Sequence, residues 1–216
     1  MKLVWSPEMA EKAFMDTVKS CDIYQGSSIT ELISAMAAGW NARLIVETWC
    51  LDDETTTTTT TTTSIGLAVA STHTCGRHVC IVPNEDSKTA YLTAMNKAGM
   101  SPEVIVGEPE KVVNELEFID FLLIDLKKIN EFDRILKAAK FGRRGAVVVC
   151  LNGGSTVVLD GGSRRIVRSV FIPVGNGLDI AHVAGEGSGS GSGKVKNRRW
   201  IKRVDRESGE EFLIRK

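Results

Sequence analysis

Five short apolar runs recur along the middle of the chain, each bounded by polar or turn-forming residues. They are Leu44–Val46, Val79–Val82, Val104–Val106, Phe121–Ile124 and Ala146–Val149. Runs of this length that are rich in β-branched residues and have no polar face are typical of buried strands in a parallel sheet. The pattern therefore predicts five parallel strands.

Segments with helical spacing precede and separate these runs. Two lie before the first strand, over residues 6–21 and 28–39; Ser6 is a good N-cap for one, and Ser28 with Glu31 forms a capping box for the other. The remaining segments are Ile65–Ser71, Ser87–Lys97, Pro109–Leu116 and Ile129–Lys140. Strands that alternate with helices predict an α/β fold, with a mostly parallel central sheet covered by helices on both faces.

The pattern changes after the fifth strand. Two apolar runs, Val167–Pro173 and Leu178–Val183, flank the sequence Gly175-Asn176-Gly177. Asn-Gly readily adopts the positive φ angles of a tight hairpin turn. We expect these runs to form an antiparallel pair at the end of the sheet.

The last part of the chain divides into a Gly/Ser segment and a basic segment. Residues 185–193 have the composition of a flexible linker. Beyond it, residues 194–216 carry nine basic and four acidic side chains, and Trp200–Val204 and Phe212–Ile214 read as two strands of a small hairpin. We therefore expect one domain over residues 1–184, a linker and a basic hairpin appendage over 194–216.

The basic cluster Lys194–Arg203 leaves three interpretations open. It is the solvated face of a strand, a contact site for a protein such as an import receptor, or a weak contact site for the phosphates of a nucleic acid, with Trp200 available for stacking. The formal net charge of zero over the whole chain argues against extensive nucleic-acid binding.

Nine consecutive threonines, Thr55–Thr63, follow the first strand. A run of identical polar side chains has no counterpart in catalytic motifs, so we expect a mobile polar loop between this strand and its helix. The position is notable because a nucleotide-type cofactor meets a helix N-terminus at this point of a doubly wound fold.

Composition indicates an intracellular protein without a membrane span. The 216 residues are 43% apolar and 25% charged, and the five cysteines are odd in number and scattered, as expected of thiols in a reducing compartment. No apolar run approaches the length of a membrane helix, and no signal-peptide pattern opens the sequence. We expect a cytoplasmic protein, with nuclear entry as a second option.

The series of strands and helices with a closing hairpin resembles class I S-adenosylmethionine-dependent methyltransferases, in particular O-methyltransferases of the catechol and caffeoyl-CoA type. Four stretches carry the resemblance: Leu44–Glu47, Ser64–Ala68, Ile124–Asn130 and Ile172–Leu178. The whole chain is also similar to a plant family of unknown function, DUF 1442, which is described as methyltransferase-like. The segments Lys2–Glu8 and Gly76–Pro83 carry that similarity.

The methyltransferase resemblance implies S-adenosyl-L-methionine as the cofactor and names its contacts. Glu47 would be the acid that ends strand one, Ser64 would begin the following helix, and Gly107 would lie near the adenine. Glu85 would replace the usual ribose-binding acid, whose place Pro83 takes. The last of the implied contacts, Asp125, follows strand four.

Two departures from the resemblance weaken the expected chemistry. Trp49 stands where the first glycine of the cofactor loop is expected, and residues 50–63 contain no glycine. Of the three metal ligands of the catechol-type enzymes, Asp125 and Asn152 remain, but Leu151 replaces the middle carboxylate. A Mg²⁺ site needs oxygen ligands, so no metal site is predicted.

Other catalytic arrangements find little support in the sequence. His73, Cys75, His78 and Cys80 lie within eight residues, but a strand and a helix end would direct them differently, so packing is the expected role rather than zinc binding. None of the three histidines has an evident acidic partner, and no nucleophile elbow or phosphate loop is present.

Two hypotheses therefore remain, and no catalytic residue is assigned. One is a methyltransferase that transfers a methyl group to a small molecule or a protein. The other is an inactive pseudo-methyltransferase that serves as a binding or scaffold module through its basic C-terminal segment.

Overall fold

The computed structural model describes residues 5–21, 28–50, 54–126, 132–152, 166–175, 177–185, 200–204 and 211–215. The expected bounds 1–184, 185–193 and 194–216 for domain, linker and appendage therefore fall partly outside the described residues.

The central feature is a seven-stranded sheet with the strand order β3-β2-β1-β4-β5-β7-β6. Its strands are β1 (Leu44–Thr48), β2 (Arg77–Val82), β3 (Glu103–Val106), β4 (Phe121–Asp125), β5 (Ala146–Leu151), β6 (Ile166–Ile172) and β7 (Leu178–Val183). The first five pair in parallel, and β7 pairs antiparallel with both β5 and β6. The predicted five parallel strands and the antiparallel closing pair are confirmed.

In the part of the chain that the structure describes, six helices cover this sheet. They are α1 (Pro7–Cys21), α2 (Ser28–Gly39), α3 (Glu54–Thr74), α4 (Glu85–Lys97), α5 (Pro109–Glu115) and α6 (Phe132–Ala138). All follow the sequence prediction except α3, which begins well before the predicted start at Ile65.

The helices occupy both faces because side chains alternate along each strand. Ile45, Phe121 and Leu123 pack in one cluster with apolar residues of α1, α2 and α3, and Cys80 packs with residues of α3 and α4. Strand residues of the opposite face, such as Val46 and Leu122, contact α5 and α6 instead. Helices therefore cover both faces of the sheet, which is the doubly wound fold that the sequence predicted.

The threonine run is helical, so the prediction of a loop at Thr55–Thr63 was wrong. The run forms the N-terminal half of α3, and Thr61, Thr62 and Thr63 are buried. Thr30 Oγ1 of α2 donates a 3.2 Å hydrogen bond to Thr62 Oγ1. A threonine lowers helix stability by only about 0.5 kcal/mol relative to alanine, and helices extend readily from an existing segment, so packing of α3 against α1 and α2 outweighs the weak propensity.

Buried polar contacts fix the amino ends of three neighbouring strands. The Asp120 carboxylate, just before β4, accepts hydrogen bonds from the backbone N–H of Arg43 at 2.8 Å and from the guanidinium of Arg144 at 3.1 Å. Arg144 also stacks over the ring of Trp40. These contacts hold β1, β4 and β5 in register at their amino ends. They do not involve the carboxyl ends of the strands.

The C-terminal strands β8 (Trp200–Val204) and β9 (Glu211–Arg215) pair antiparallel as a separate two-stranded sheet. Both strands include the apolar runs from which a hairpin was expected. The cations at positions 194–199 of the basic cluster lie outside the described residues. Among the described helices, none is long and apolar enough to cross a bilayer.

Candidate functional site

The carboxyl ends of β1, β2, β4 and β5 meet at one edge of the sheet, which we call the carboxyl edge. In doubly wound folds ligands bind in the crevice at this edge, next to the point where the strand order reverses. Here the reversal lies between β1 and β4, because β1 is followed by β2 on one side and neighbours β4 on the other. Of the five predicted contacts, Glu47 and Asp125 belong to these two strands.

Glu47 lies in a closed hydrogen-bond cluster. Its side chain is 2% exposed. Oε1 accepts hydrogen bonds from Tyr91 OH at 2.6 Å and from His78 Nε2 at 3.0 Å, and Oε2 accepts one from Ser64 Oγ at 2.9 Å. A buried carboxylate requires such partners, since an unpaired one would be very costly. In this conformation a ligand amine reaches Glu47 only by displacing one of the three side chains.

Sequence position explains how the cluster assembles. Glu47 and His78 are on neighbouring parallel strands and project to the same face, where Ser64 of α3 and Tyr91 of α4 meet them. Burial raises the pKa of the Tyr91 hydroxyl well above its ordinary value, and the negative charge of Glu47 raises that pKa further. The phenol therefore stays protonated and serves as a hydrogen-bond donor.

Trp49, which stands where a glycine of the cofactor loop was expected, packs against the Glu47 cluster. Its indole is 4% exposed and meets the ring of Tyr91 edge to face at 5.3 Å. A glycine at this position would leave space at the end of β1. The side chain that the sequence analysis flagged as a departure thus packs in the core between α3 and α4.

Asp125 and Asn152 are brought together at the ends of β4 and β5. Asn152 Nδ2 donates a 2.7 Å hydrogen bond to Asp125 Oδ1, and the backbone of Asn152 has a positive φ of 60°. A shared cation would require oxygens from both residues, whereas here the amide N–H of Asn152 faces the carboxylate. Leu151, which replaces the third ligand, is 6% exposed and packs in the core. Within the described part of the chain, no three acidic, cysteine or histidine side chains converge as metal ligands.

The other two predicted contacts occupy different surroundings. Glu85 is exposed in the first turn of α4, where its carboxylate lies 3.4 Å from Lys88. At Gly107 a Cβ would lie 2.8 Å from Val112 Cγ2, so the glycine allows α5 to approach the end of β3 closely. The exposed carboxylate of Glu85 is accessible to a ligand. The short distance to Val112 shows that Gly107 serves the packing of α5 against β3.

Two buried polar atoms at the end of β1 have no hydrogen-bond partner among the described residues. They are the Thr48 hydroxyl and the Trp49 indole N–H. Buried polar groups are nearly always paired, so such atoms point to a water or a ligand group at their position.

Two of the three histidines, His73 and His78, have acidic partners that the sequence did not reveal. His73 Nε2 lies 3.0 Å from Asp16 of α1, and His78 pairs with Glu47. The prediction that no histidine has an acidic partner was therefore wrong, because both partners are distant in sequence. His73 and His78 thus bond different partners, on α1 and β1. His73, Cys75, His78 and Cys80 therefore do not converge on one metal site.

Tyr91 and His78 are the site residues that sequence reasoning missed. Neither belongs to a recognisable motif. The one available signal was the pairing of a strand-end acid, Glu47, with a histidine that the strand register places on the same face. Tyr91, on the other hand, approaches Glu47 only through the packing of α4.

Comparisons with known proteins identify the family of the chain and its fold. A family model described as "Protein of unknown function (DUF1442)" matches residues 1–216. Among curated proteins, none matches the chain in sequence.

Solved structures share the fold at low sequence identity. A methyltransferase from Geobacter sulfurreducens is 20% identical with a TM-score of 0.56, over 82% of this chain and 88% of that one. The SAH-bound methyltransferase PaMTH1 from Podospora anserina is 13% identical with a TM-score of 0.55, over 83% and 89%. An O-methyltransferase from Bacillus cereus in complex with SAH is 18% identical with a TM-score of 0.51, over 84% and 93%. The chain therefore has the Rossmann-like methyltransferase fold.

Proposed function

The chain belongs to the DUF1442 family, and we propose that this methyltransferase-like protein binds S-adenosylmethionine or S-adenosylhomocysteine (SAH) at the carboxyl edge of its sheet. The observation that carries the proposal is the pair Asp125–Asn152, joined by a 2.7 Å hydrogen bond at the ends of two adjacent strands. The fold shared with SAH-bound methyltransferases supports it. The acceptor would be a small molecule or a protein.

The residues at this edge fit an adenosyl ligand in part. Asp125 supplies an acceptor for hydrogen bonds from the ligand, and Glu85 supplies a second, exposed carboxylate. The Thr48 hydroxyl and the Trp49 N–H, which have no partner among the described residues, add polar groups that need one. Because Glu47 is already occupied by its three donors, we propose that it acts with Ser64 as a buried support for the strand end and that binding is weak.

S-adenosylmethionine would supply an activated methyl group on a sulfonium. The chain's own contribution would be to hold acceptor and ligand in line, which lowers the entropic part of the barrier. Since an N–H group of Asn152, and not an oxygen, faces Asp125 and Leu151 carries no oxygen, we propose that this positioning proceeds without a bound metal. Gly107 would contribute by bringing α5 close to the ligand edge.

A second candidate function is that of a binding module without catalysis. The specific observation in its favour is the closed Glu47 cluster, which lies beside Trp49, the residue at the place where the resemblance implies a glycine of the cofactor loop. In this alternative, residues 1–184 form the domain and the segment 194–216, joined by residues 185–193, contacts a protein partner or, weakly, a nucleic acid.

Calorimetry and thermal unfolding with SAH separate these two candidates. If SAH binds, ligand at about 100 times its dissociation constant stabilises the fold by roughly 2.7 kcal/mol. Asp125→Asn and Glu85→Gln should then weaken binding. Glu117→Gln is the matched control for Glu85, because both are exposed glutamates beside a lysine and Glu117 lies just before β4, at the opposite edge. Absence of binding at millimolar SAH would leave only the binding module.

A further inference from the structure

The seven-stranded sheet ends at β6, and this edge strand exposes apolar side chains to solvent. Among the described strands, β6 pairs with β7 alone. Val167, Val170 and Phe171 of β6 are 54%, 54% and 41% exposed. An edge strand also presents backbone N–H and C=O groups with which another chain can pair. The β6 edge therefore combines an apolar surface with the means of forming a sheet contact.

The other edge of the sheet, formed by β3, is protected against such pairing. β3 has four residues, and its first residue, Glu103, forms a 2.7 Å ion pair with Arg77. Short length and charge both discourage pairing with another chain. β6 has seven residues, of which only Arg168 is charged. Of the two edges, β6 is thus the one suited to an interface.

A β-bulge defines which part of β6 is regular. The register of β6 against β7 shifts between Ile166 and Arg168, and the pairing is unbroken from Arg168 to Ile172. Because a bulge bends its strand and interrupts regular pairing, the usable edge is the stretch 168–172. The midpoint of this stretch is Val170, an exposed apolar residue.

The stretch 168–172 is complementary to a second copy of itself. Antiparallel pairing about a two-fold axis at Val170 places Val170 opposite Val170 of the second copy and covers both side chains. The same register places Phe171 opposite Ser169 of the second copy, and the two Phe171 rings become diagonal neighbours within reach of each other. Val170 shares one sheet face with Ile180, and Phe171 lies on the other face, so the junction gains apolar contacts on both faces.

Charge favours a second copy over the C-terminal hairpin of the same chain. In the two-fold arrangement Arg168 lies opposite Ile172, and the two arginines are about 13 Å apart along the strands. That separation exceeds the screening length of about 8 Å at physiological salt. The hairpin strands β8 and β9 instead carry three cations and one acid, and they would bring like charge to Arg168.

We propose that β6 pairs antiparallel with β6 of a second copy, so that one sheet runs through a dimer. Main-chain hydrogen bonds supply the affinity, and the apolar side chains fix the register. β6 is separated from β4 by β5 and β7, so the interface is independent of the ligand proposed at the carboxyl edge.

Sedimentation of the full chain tests the dimer. We expect wild type to be dimeric at micromolar concentration. Val170→Lys sets two like charges opposite each other and should weaken the dimer roughly a hundredfold or more. Val18→Lys is the matched control, because Val18 is an exposed valine on α1, and it should leave the dimer intact. A wild-type monomer, or a dimer that Val170→Lys weakens no more than Val18→Lys does, would overturn the proposal.

Cysteine cross-linking tests the register, in a Cys75→Ser background that lacks the exposed native thiol. Side chains directly opposite in an antiparallel pair have Cβ atoms about 4.5–5.5 Å apart, close to the span of a disulfide. Mild oxidation should therefore convert Val170→Cys into a covalent dimer. Val167→Cys is the control, because it is equally exposed but would lie about 20 Å from its counterpart. Equal cross-linking of the two variants, or none in Val170→Cys, would contradict the two-fold pairing.

Discussion

The hydroxyl of Tyr91 donates a 2.6 Å hydrogen bond to Oε1 of Glu47, across 44 positions of sequence and in the interior of the protein. This bond joins α4 to the end of β1. It satisfies a carboxylate that the sequence analysis expected to contact a ligand. Glu47 therefore belongs both to the interior of the fold and to the proposed site.

Tyr91→Phe should destabilise the fold by about 1.5–3 kcal/mol, the usual cost of losing a hydrogen bond to a charged group. The phenyl ring keeps its contact with Trp49, so the loss isolates the hydroxyl. Urea unfolding measures the change. In a cycle with Glu47→Gln the two losses should not add, because the residues are in direct contact. Unchanged stability of Tyr91→Phe would show that the hydroxyl bond contributes nothing.

Thr58→Pro tests whether the threonine run is helical. Proline in a helix interior removes a backbone hydrogen bond and clashes with the preceding turn, so we expect a loss of roughly 3 kcal/mol together with lower helix content in circular dichroism. Thr55→Pro is the matched control, since it falls in the first turn of α3, where proline is tolerated. If both variants were equally stable, the run would not be a helix.

Gly107→Ala tests the close approach of α5 to β3. The added Cβ would lie 2.8 Å from Val112 Cγ2, and valine is too stiff to move aside, so we expect a loss of about 1–3 kcal/mol in the free energy of unfolding. The loss should shrink in a Val112→Ala background, which opens the space. A Gly107→Ala variant that keeps full stability but loses SAH binding would instead indicate a role at the ligand.

Asp179 on β7 gives the fold a pH dependence. Burial raises the pKa of its carboxyl above the ordinary value, and Oδ2 has no partner among the described residues. The folded state therefore holds the proton to higher pH than the unfolded state, and the free energy of unfolding falls as pH rises from the ordinary aspartate pKa through the folded one. Asp179→Asn should show a smaller fall in urea unfolding across this window. Identical pH profiles would contradict the assignment.

Most of the strand pattern could be read from the sequence because β1, β2, β4 and β5 lie inside the sheet, are buried almost throughout and are therefore mainly apolar. The runs Val79–Val82 and Phe121–Ile124 therefore marked β2 and β4 to within two residues. The same logic failed for Thr55–Thr63. Nine threonines have neither an apolar period nor a strong propensity, and their helical state depends on α1 and α2 packing beside them.

The candidate site, too, could be predicted only in part. Glu47 and Asp125 could be placed at strand ends, because a strand-end acid follows an apolar run at once. Their environments could not be predicted, since Tyr91, His78 and Asn152 reach them from 27 to 44 positions away.

The sequence by itself determined the order of the elements and the doubly wound sheet, because the spacing of apolar residues is a local property of the chain. Only the tertiary structure decided the partners of the two buried carboxylates, which are Tyr91, His78 and Ser64 for Glu47 and Asn152 for Asp125. That outcome depends on helices packing over strand ends, and such contacts join residues that no local pattern relates.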